Sequence, residues 1–364
     1  MEQLAGLRRD LRGLRHLLPH LGGFLACVVV VSCSGRTPLI PGQPTQASLV
    51  IFQEEVAVSS RGTLAYHDLG VRCVTGPDSY MEDAALEGLY VMDPKSGTSR
   101  LVLHGGELPA WSPDGSRLAF VVNLSYLVTA NADGSGAQVV ATGPLIGYPS
   151  WSPDGSRLAF ESDGVGTDRS IRVWVVGSDG SNPHAIALPD TESYIEPCWG
   201  RTGGRLYAAK LDGHEGRYST IVEIDTAGHE VRDLHTGGVM GRRPCVSWDG
   251  KWIAYEFVAL TGGPTIWAVS QDGSAKRQLT GDPAQGVAWF PGDTSIAYTA
   301  LEAAYPPDRG TIWLKSLVDG KAGSLTTRWP EDCRVGVAQG GPVRTPQRRE
   351  FLTDEPVRPQ RVFP

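Results

Sequence analysis

The chain has 364 residues with a formal net charge of −7, and its 45 Gly and 26 Pro make up about a fifth of the sequence, against roughly 12% in an average protein, so many turns are required. Ten Trp, 11 Tyr and 8 Phe supply apolar anchors that a disordered chain lacks, and the glycines follow no three-residue period, which excludes disordered and collagen-like classes. The acidic balance offers no broad basic face, so nucleic acid is excluded as a partner.

Residues 1–20 carry Arg8, Arg9, Arg12 and Arg15 against Glu2 and Asp10, and an apolar run from Leu21 to Val31 follows. This is the layout of a secretory signal, and the run is shorter than the about 20 residues that a spanning helix needs. Val30-Val31-Ser32-Cys33 resembles the bacterial lipoprotein signal, in which the cysteine thiol receives diacylglycerol, with Val at the position where Leu is usual. Residues 1–33 are expected to be signal peptide and lipobox, with Cys33 as the lipidation site; an ordinary secretory signal that happens to contain Cys33 is the alternative. Removing residues 1–32 takes away four Arg and two acids and leaves a charge of −9. Such a body is not drawn to anionic lipid, so attachment rests on the acyl chains. Residues 34–48, rich in Pro, Ser, Thr and Gly, are expected as a tether.

A repeat then takes over. Trp111 to Phe120 (WSPDGSRLAF) recurs unchanged as Trp151 to Phe160, and fainter copies stand at Ala57–Tyr66, Trp199–Ala208, Val246–Tyr255 and Trp289–Tyr298. A second turn follows each copy, with glycines at Gly97, Gly134, Gly180, Gly228, Gly273 and Gly320, spaced by 37, 46, 48, 45 and 47 residues. Ser-Pro-Asp-Gly suits a type I turn between antiparallel strands. Runs such as Ile171–Val176, Thr265–Val269 and Thr311–Lys315 are β-branched and aromatic, and each feeds a hairpin turn and a last strand. Four strands per unit is the arithmetic of a propeller blade. The expected fold is all-β, a six-bladed β-propeller of four-stranded antiparallel blades over residues 49–328, with a Pro/Arg-rich tail at 329–364.

The WSPDGSRLAF repeat with its downstream Asp-Gly-Ser hairpin resembles the TolB-type, WD-like propeller repeats, also found in the propeller domains of the dipeptidyl-peptidase and prolyl-oligopeptidase families. The resemblance runs from about Ala57 to Thr327 and implies a propeller whose partners are peptides, proteins or sugars, with envelope proteins as the partners implied by the TolB type.

Within a blade, the first-to-second and third-to-fourth strand turns are short and nearly invariant, so that end reads as structural. The opposite end carries the variable connections, where function is expected on a repeated scaffold. There the residue three before the tryptophan position is Leu108, Tyr148, Glu196, Arg243 or Gly286 in successive copies. Tyr148, Glu196 and Arg243, with Glu107, Tyr194, Arg242 and Gln285 beside them, are expected to form a mixed acidic, basic and aromatic ring at the channel mouth. It suits a peptide terminus or polar ligand. The alternative is that Glu196 and Arg243 pair across neighbouring blades and hold the ring shut.

Catalytic signatures are missing: there is no Gly-x-Ser-x-Gly elbow and no His-Glu-x-x-His, and the histidines lack metal-type spacing, so no catalytic residue, metal or cofactor is expected. An exported chain permits disulfides. Cys73 in the first repeat's insertion and Cys333 past the last repeat form a candidate bridge, while Cys198 and Cys245 occupy equivalent positions. The expected function is a membrane-anchored, monomeric, extracytoplasmic binding scaffold in the bacterial envelope, lipid-anchored to the outer face of the membrane. The alternative is a propeller enzyme, a carbohydrate lyase or hydrolase, with its site at the channel mouth.

Overall fold

The computed structural model describes residues 53–68, 71–73, 80–82, 87–163, 171–189, 192–211, 218–234, 240–259, 263–301 and 310–325. Every regular element among them is a strand, as expected for an all-β propeller. Cys33, the tether at 34–48, Cys333 and the tail at 329–364 lie outside the described residues, and of Cys73 only the backbone is described.

Four sheets are four-stranded and antiparallel. The first joins Gln53–Val58, Leu64–Asp68, Gly88–Asp93 and Thr98–Leu103. The second joins Glu107–Trp111, Arg117–Val122, Tyr126–Asn131 and Gln138–Thr142. The third joins Gly147–Trp151, Arg157–Asp163, Ile171–Gly177 and His184–Ala185. The last joins Ala284–Trp289, Ser295–Leu301, Gly310–Ser316 and Ala322–Ser324. The insertion of the first repeat carries its own small hairpin, Val71–Cys73 with Tyr80–Glu82.

The expectation of six separate four-stranded blades is therefore corrected to four. The strands between Ser193 and Gln278 belong to one continuous eight-stranded sheet rather than to two blades. Its two halves are bridged by a parallel pair, Ser219 with Met240, and by the Ser219 hydroxyl, which donates to the Gly241 carbonyl at 2.9 Å. Ser219 is small and buried and Gly241 has no side chain, so the third strand of one repeat approaches the inner strand of the next closely enough to hydrogen-bond.

The repeated turn explains itself locally. In Ser112–Arg117 the Gly115 N–H donates to the Ser112 carbonyl at 2.9 Å, the Ser112 hydroxyl donates to Asp114 Oδ1 at 2.6 Å, and Arg117 N–H donates to Ser112 Oγ at 2.9 Å. The copy at Ser152–Arg157 repeats the pattern. Hydrogen bonds from Ser112 and Ser152 hold the Asp114 and Asp154 carboxyl groups down to about 2.

Packing between repeats builds the core. Ala119, Val121 and Leu127 meet Trp151, Leu158 and Phe160 across one such boundary, and Tyr207 and Ile221 meet Ile253 and Tyr255 across another. The ring closes where Val56, Leu64 and Met92 of the first repeat pack on Ala288, Ala297 and Ile312 of the last. Each fully buried Leu, Ile or Phe stabilises the fold by about 1.5–3 kcal/mol. The arginine that follows the turn adds a second tie, lying over the tryptophan of the following repeat: Arg117 over Trp151 at 5.4 Å and Arg157 over Trp199 at 4.9 Å.

Candidate functional site at the channel mouth

Five inner strands share one irregularity. Their pairing with the second strand slips between Glu107 and Ala110, Gly147 and Ser150, Ile195 and Cys198, Arg242 and Cys245, and Gln285 and Val287. Within each slip one residue is left-handed: Leu108 (φ 53°), Tyr148 (48°), Glu196 (56°), Arg243 (50°) and Gly286 (52°). These are the positions that the repeat alignment singles out. Bulges bend a strand and re-aim a side chain, and a left-handed φ costs a non-glycine residue roughly 1–2 kcal/mol. Pro109, Pro149, Pro197 and Pro244 follow four of them, although a proline ordinarily drives its predecessor to extended backbone. Strain of this kind collects at ligand clamps and active sites.

Tyr148, Glu196 and Arg243 are brought together. Arg243 Nη1 donates to Glu256 Oε1 at 2.9 Å and Nη2 to the Tyr148 hydroxyl at 3.1 Å, with the guanidinium 5.5 Å from the Tyr148 ring centre. Its backbone N–H donates to Glu196 Oε2 at 2.7 Å, and Arg242 Nη2 donates to Glu196 Oε1 at 2.6 Å. The Glu196 side chain is only 1% exposed, and its charge raises the Arg242 pKa above the ordinary arginine value. The Glu196–Arg243 contact across neighbouring repeats is thus made chiefly through the Arg243 backbone, which leaves the guanidinium to Tyr148 and Glu256.

Two participants were missed from sequence, Glu161 and Glu256, at the same position of the second strand in two repeats. Glu161 Oε2 accepts the Glu196 N–H at 2.6 Å, and Glu256 Oε1 accepts the Gly286 N–H at 2.5 Å. Each ties a left-handed residue of the next repeat. Opposite Glu161 stands Gly147, where a Cβ would lie 2.9 Å from Oε1, so the glycine makes room for the carboxyl group. Two carboxyl groups (Glu196, Glu256) thus meet two guanidinium groups (Arg242, Arg243), and a third, Glu161, holds the Glu196 backbone N–H. The alignment of repeats held the signal, because Phe160-Glu161 and Tyr255-Glu256 coincide.

Other expected members sit elsewhere. Tyr194 is buried among Ile186, Trp199 and Leu206. Its hydroxyl donates to Glu192 Oε2 at 2.6 Å, and Lys210 Nζ bridges Glu192 and Glu230 at 3.0 and 2.9 Å. Burial and these carboxylates push its pKa upward. Glu107 and Gln285 are half-buried on inner strands, opposite Val121 and Thr299; neither lines the channel cavity.

The cavity encloses about 230 Å3 and runs from Pro113 and Pro153 at the turn end to Tyr148, Glu196 and Arg243 at the mouth. Its wall includes Ala110, Pro149, Pro197, Cys198, Pro244, Cys245 and Ala288. Burial raises both thiols, Cys245 to about 12, so neither is an activated nucleophile. The arrangement is a channel with largely apolar walls and paired donors and acceptors at its mouth.

A family profile described as the TolB beta propeller domain matches residues 87–293. TolB from Acinetobacter baumannii is similar in structure (TM-score 0.55, 18% identity), over 74% of this chain and 61% of that one; the chain therefore spans less than two thirds of that protein. A protein assigned as TolB from Agrobacterium tumefaciens is similar with TM-score 0.54 and 23% identity, over 65% of this chain and 87% of that one. An oligogalacturonate lyase in complex with manganese gives TM-score 0.49 and 15% identity, over 77% of this chain and 85% of that one. Comparison with curated proteins finds no match. Identities this low carry the fold alone, whereas the profile covers more than half of the sequence, and by it the chain belongs to the TolB beta propeller domain family.

Proposed function

We propose that the protein is an exported propeller, anchored to the outer face of a bacterial membrane through acylated Cys33, that binds an envelope protein, peptide or polar ligand at its channel mouth without catalysing a reaction. The observation that carries this reading is the Arg243 guanidinium, held over the mouth between Tyr148 and Glu256. Its donors are fixed before any ligand arrives, so little ordering entropy remains to oppose binding.

The test is a photoreactive residue at Leu108, which lines the cavity at the mouth, in the anchored chain, in its own cells, with Val318 at the opposite end as control. The expected result is one crosslinked envelope partner from position 108, reduced about tenfold by Arg243→Ala. No crosslink above the control overturns the binding site. Depolymerisation of oligogalacturonate by the purified protein supplied with manganese replaces the scaffold reading with the enzymatic one. Mass spectrometry of the amino terminus tests the anchor: a diacylated Cys33 is expected, and an unmodified Ser34 start refutes it.

A further inference from the structure

The mouth end also bears the described residues' densest exposed apolar group. Leu124, in the turn between second and third strands of the second repeat, and Tyr126, the first residue of that third strand, are 42% and 41% exposed, and Leu145, on the way to the next inner strand, is 50% exposed. The two loops are tied together: Ile146 N–H donates to the Leu124 carbonyl at 2.8 Å and Gly143 N–H to the Ser125 carbonyl at 3.1 Å. Asn123, Leu124 and Leu145 are left-handed, at φ 52°, 51° and 49°. Leucine gains nothing locally from that conformation, which costs roughly 1–2 kcal/mol each, and here it projects two leucines outward instead of turning them into the core. Residues 123–126 and 142–147 contain no Asp, Glu, Lys, Arg or His. The charged residues that border the loops are Asp163, whose N–H donates to the Pro144 carbonyl at 3.2 Å, and Glu161, paired opposite Gly147.

We infer that this tip rests in the interfacial layer of the membrane to which Cys33 is anchored, an orientation that depends on the anchored reading above. The chain enters the fold at Gln53, and the strand Gln53–Val58 runs from the mouth end toward the turn at Ser59, so the tether joins the end that bears the tip. The 19 residues between Cys33 and Gln53 reach at most about 65 Å. That keeps the mouth end within reach of the bilayer at high effective concentration, where a few apolar contacts suffice to fix orientation. A loop pair without charges desolvates cheaply there, and Leu with Tyr is the composition of a membrane interface. The acidic body has no electrostatic route to anionic lipid, so apolar contact is the available one.

The experiment uses the full chain, purified acylated and reconstituted on neutral phosphatidylcholine vesicles with or without brominated acyl chains. Tyr126→Trp and Val318→Trp are compared with the wild-type chain for quenching of tryptophan emission. Quenching added by Tyr126→Trp, at least threefold above that of Val318→Trp and abolished when Leu124→Ser and Leu145→Ser are introduced with it, supports the inference. Sedimentation with vesicles but no added quenching at position 126 overturns the docking and leaves the anchor standing. Failure to sediment overturns the anchor and the orientation with it. A concentration-dependent dimer, or crosslinking of a photoreactive residue at position 126 to a protein in cells, assigns the tip to a protein surface and overturns the lipid assignment.

Discussion

Glu196 and Arg243 stand at the same position of consecutive inner strands, both left-handed, and the Arg243 N–H donates to the Glu196 carboxylate at 2.7 Å. The contact locks two strained residues to each other and turns the Arg243 guanidinium across the channel to Tyr148.

Removing that carboxylate leaves the Arg242 guanidinium and the Arg243 N–H without their acceptor in a buried setting. Glu196→Ala is expected to destabilise the fold by about 3–5 kcal/mol, and Glu196→Gln, which keeps one acceptor oxygen, by less. Urea unfolding midpoints of the two variants check the order; equal midpoints would show that the neutral acceptor kept by Gln is immaterial and that the loss comes from the charge.

His67 is 3% exposed, and its Nε2 has no hydrogen-bond partner among the described residues. Burial lowers its pKa to about 4. The folded value lies below the free value of 6.5, so as pH falls the unfolded chain takes up the proton first. Stability is therefore unaffected above pH 6.5 and declines from there to about pH 4, by up to about 3 kcal/mol. His67→Gln should flatten the stability profile between those values, and an unchanged slope would assign the loss to other groups.

The turn carboxyl groups act in a lower window. Asp114 and Asp154 sit near 2 in the fold because serine hydroxyls donate to them, so their contribution is complete above about pH 4 and is lost as pH drops toward 2. Asp114→Asn with Asp154→Asn should leave stability at pH 3 closer to its neutral value than in the wild-type chain.

Gly134 has φ +87°, and a Cβ there would lie 2.8 Å from the Val102 carbonyl oxygen of the preceding repeat; Gly292, at φ +85°, would meet nothing within 4 Å. Gly292→Ala is expected to cost about 1 kcal/mol, the conformational term alone. Gly134→Ala should cost at least about 1 kcal/mol more, because backbone of two repeats must separate. Thermal unfolding of the pair measures the difference.

The candidate site was half legible. Counting three residues back from each tryptophan position found Tyr148, Glu196 and Arg243, because the repeat places equivalent residues around one axis. It could not show that these residues are left-handed, since only Gly286 among the five is glycine and the neighbouring prolines argue for extended backbone. Nor could it separate Tyr194 from the ring, because alternation along a bulged strand no longer tells which face a side chain takes: Tyr194 turns into the boundary between repeats while Glu196, two residues on, reaches the channel.

The sequence by itself determined the all-β class, the turn chemistry and the repeat, since Ser-Pro-Asp-Gly hydrogen bonds and strand periodicity are local. Tertiary structure decided how many sheets those repeats make. One bridge, Ser219 with Met240, merges two expected blades into a single sheet, and its formation depends on how closely two edges distant in the repeat are brought by packing. Tertiary structure also decided the use of the conserved-looking bulge within this chain: the strain at Glu196 and Arg243 is tolerable only because carboxylates from neighbouring repeats, Glu161 for the one and Glu196 itself for the other, accept the backbone N–H groups that the bulge exposes.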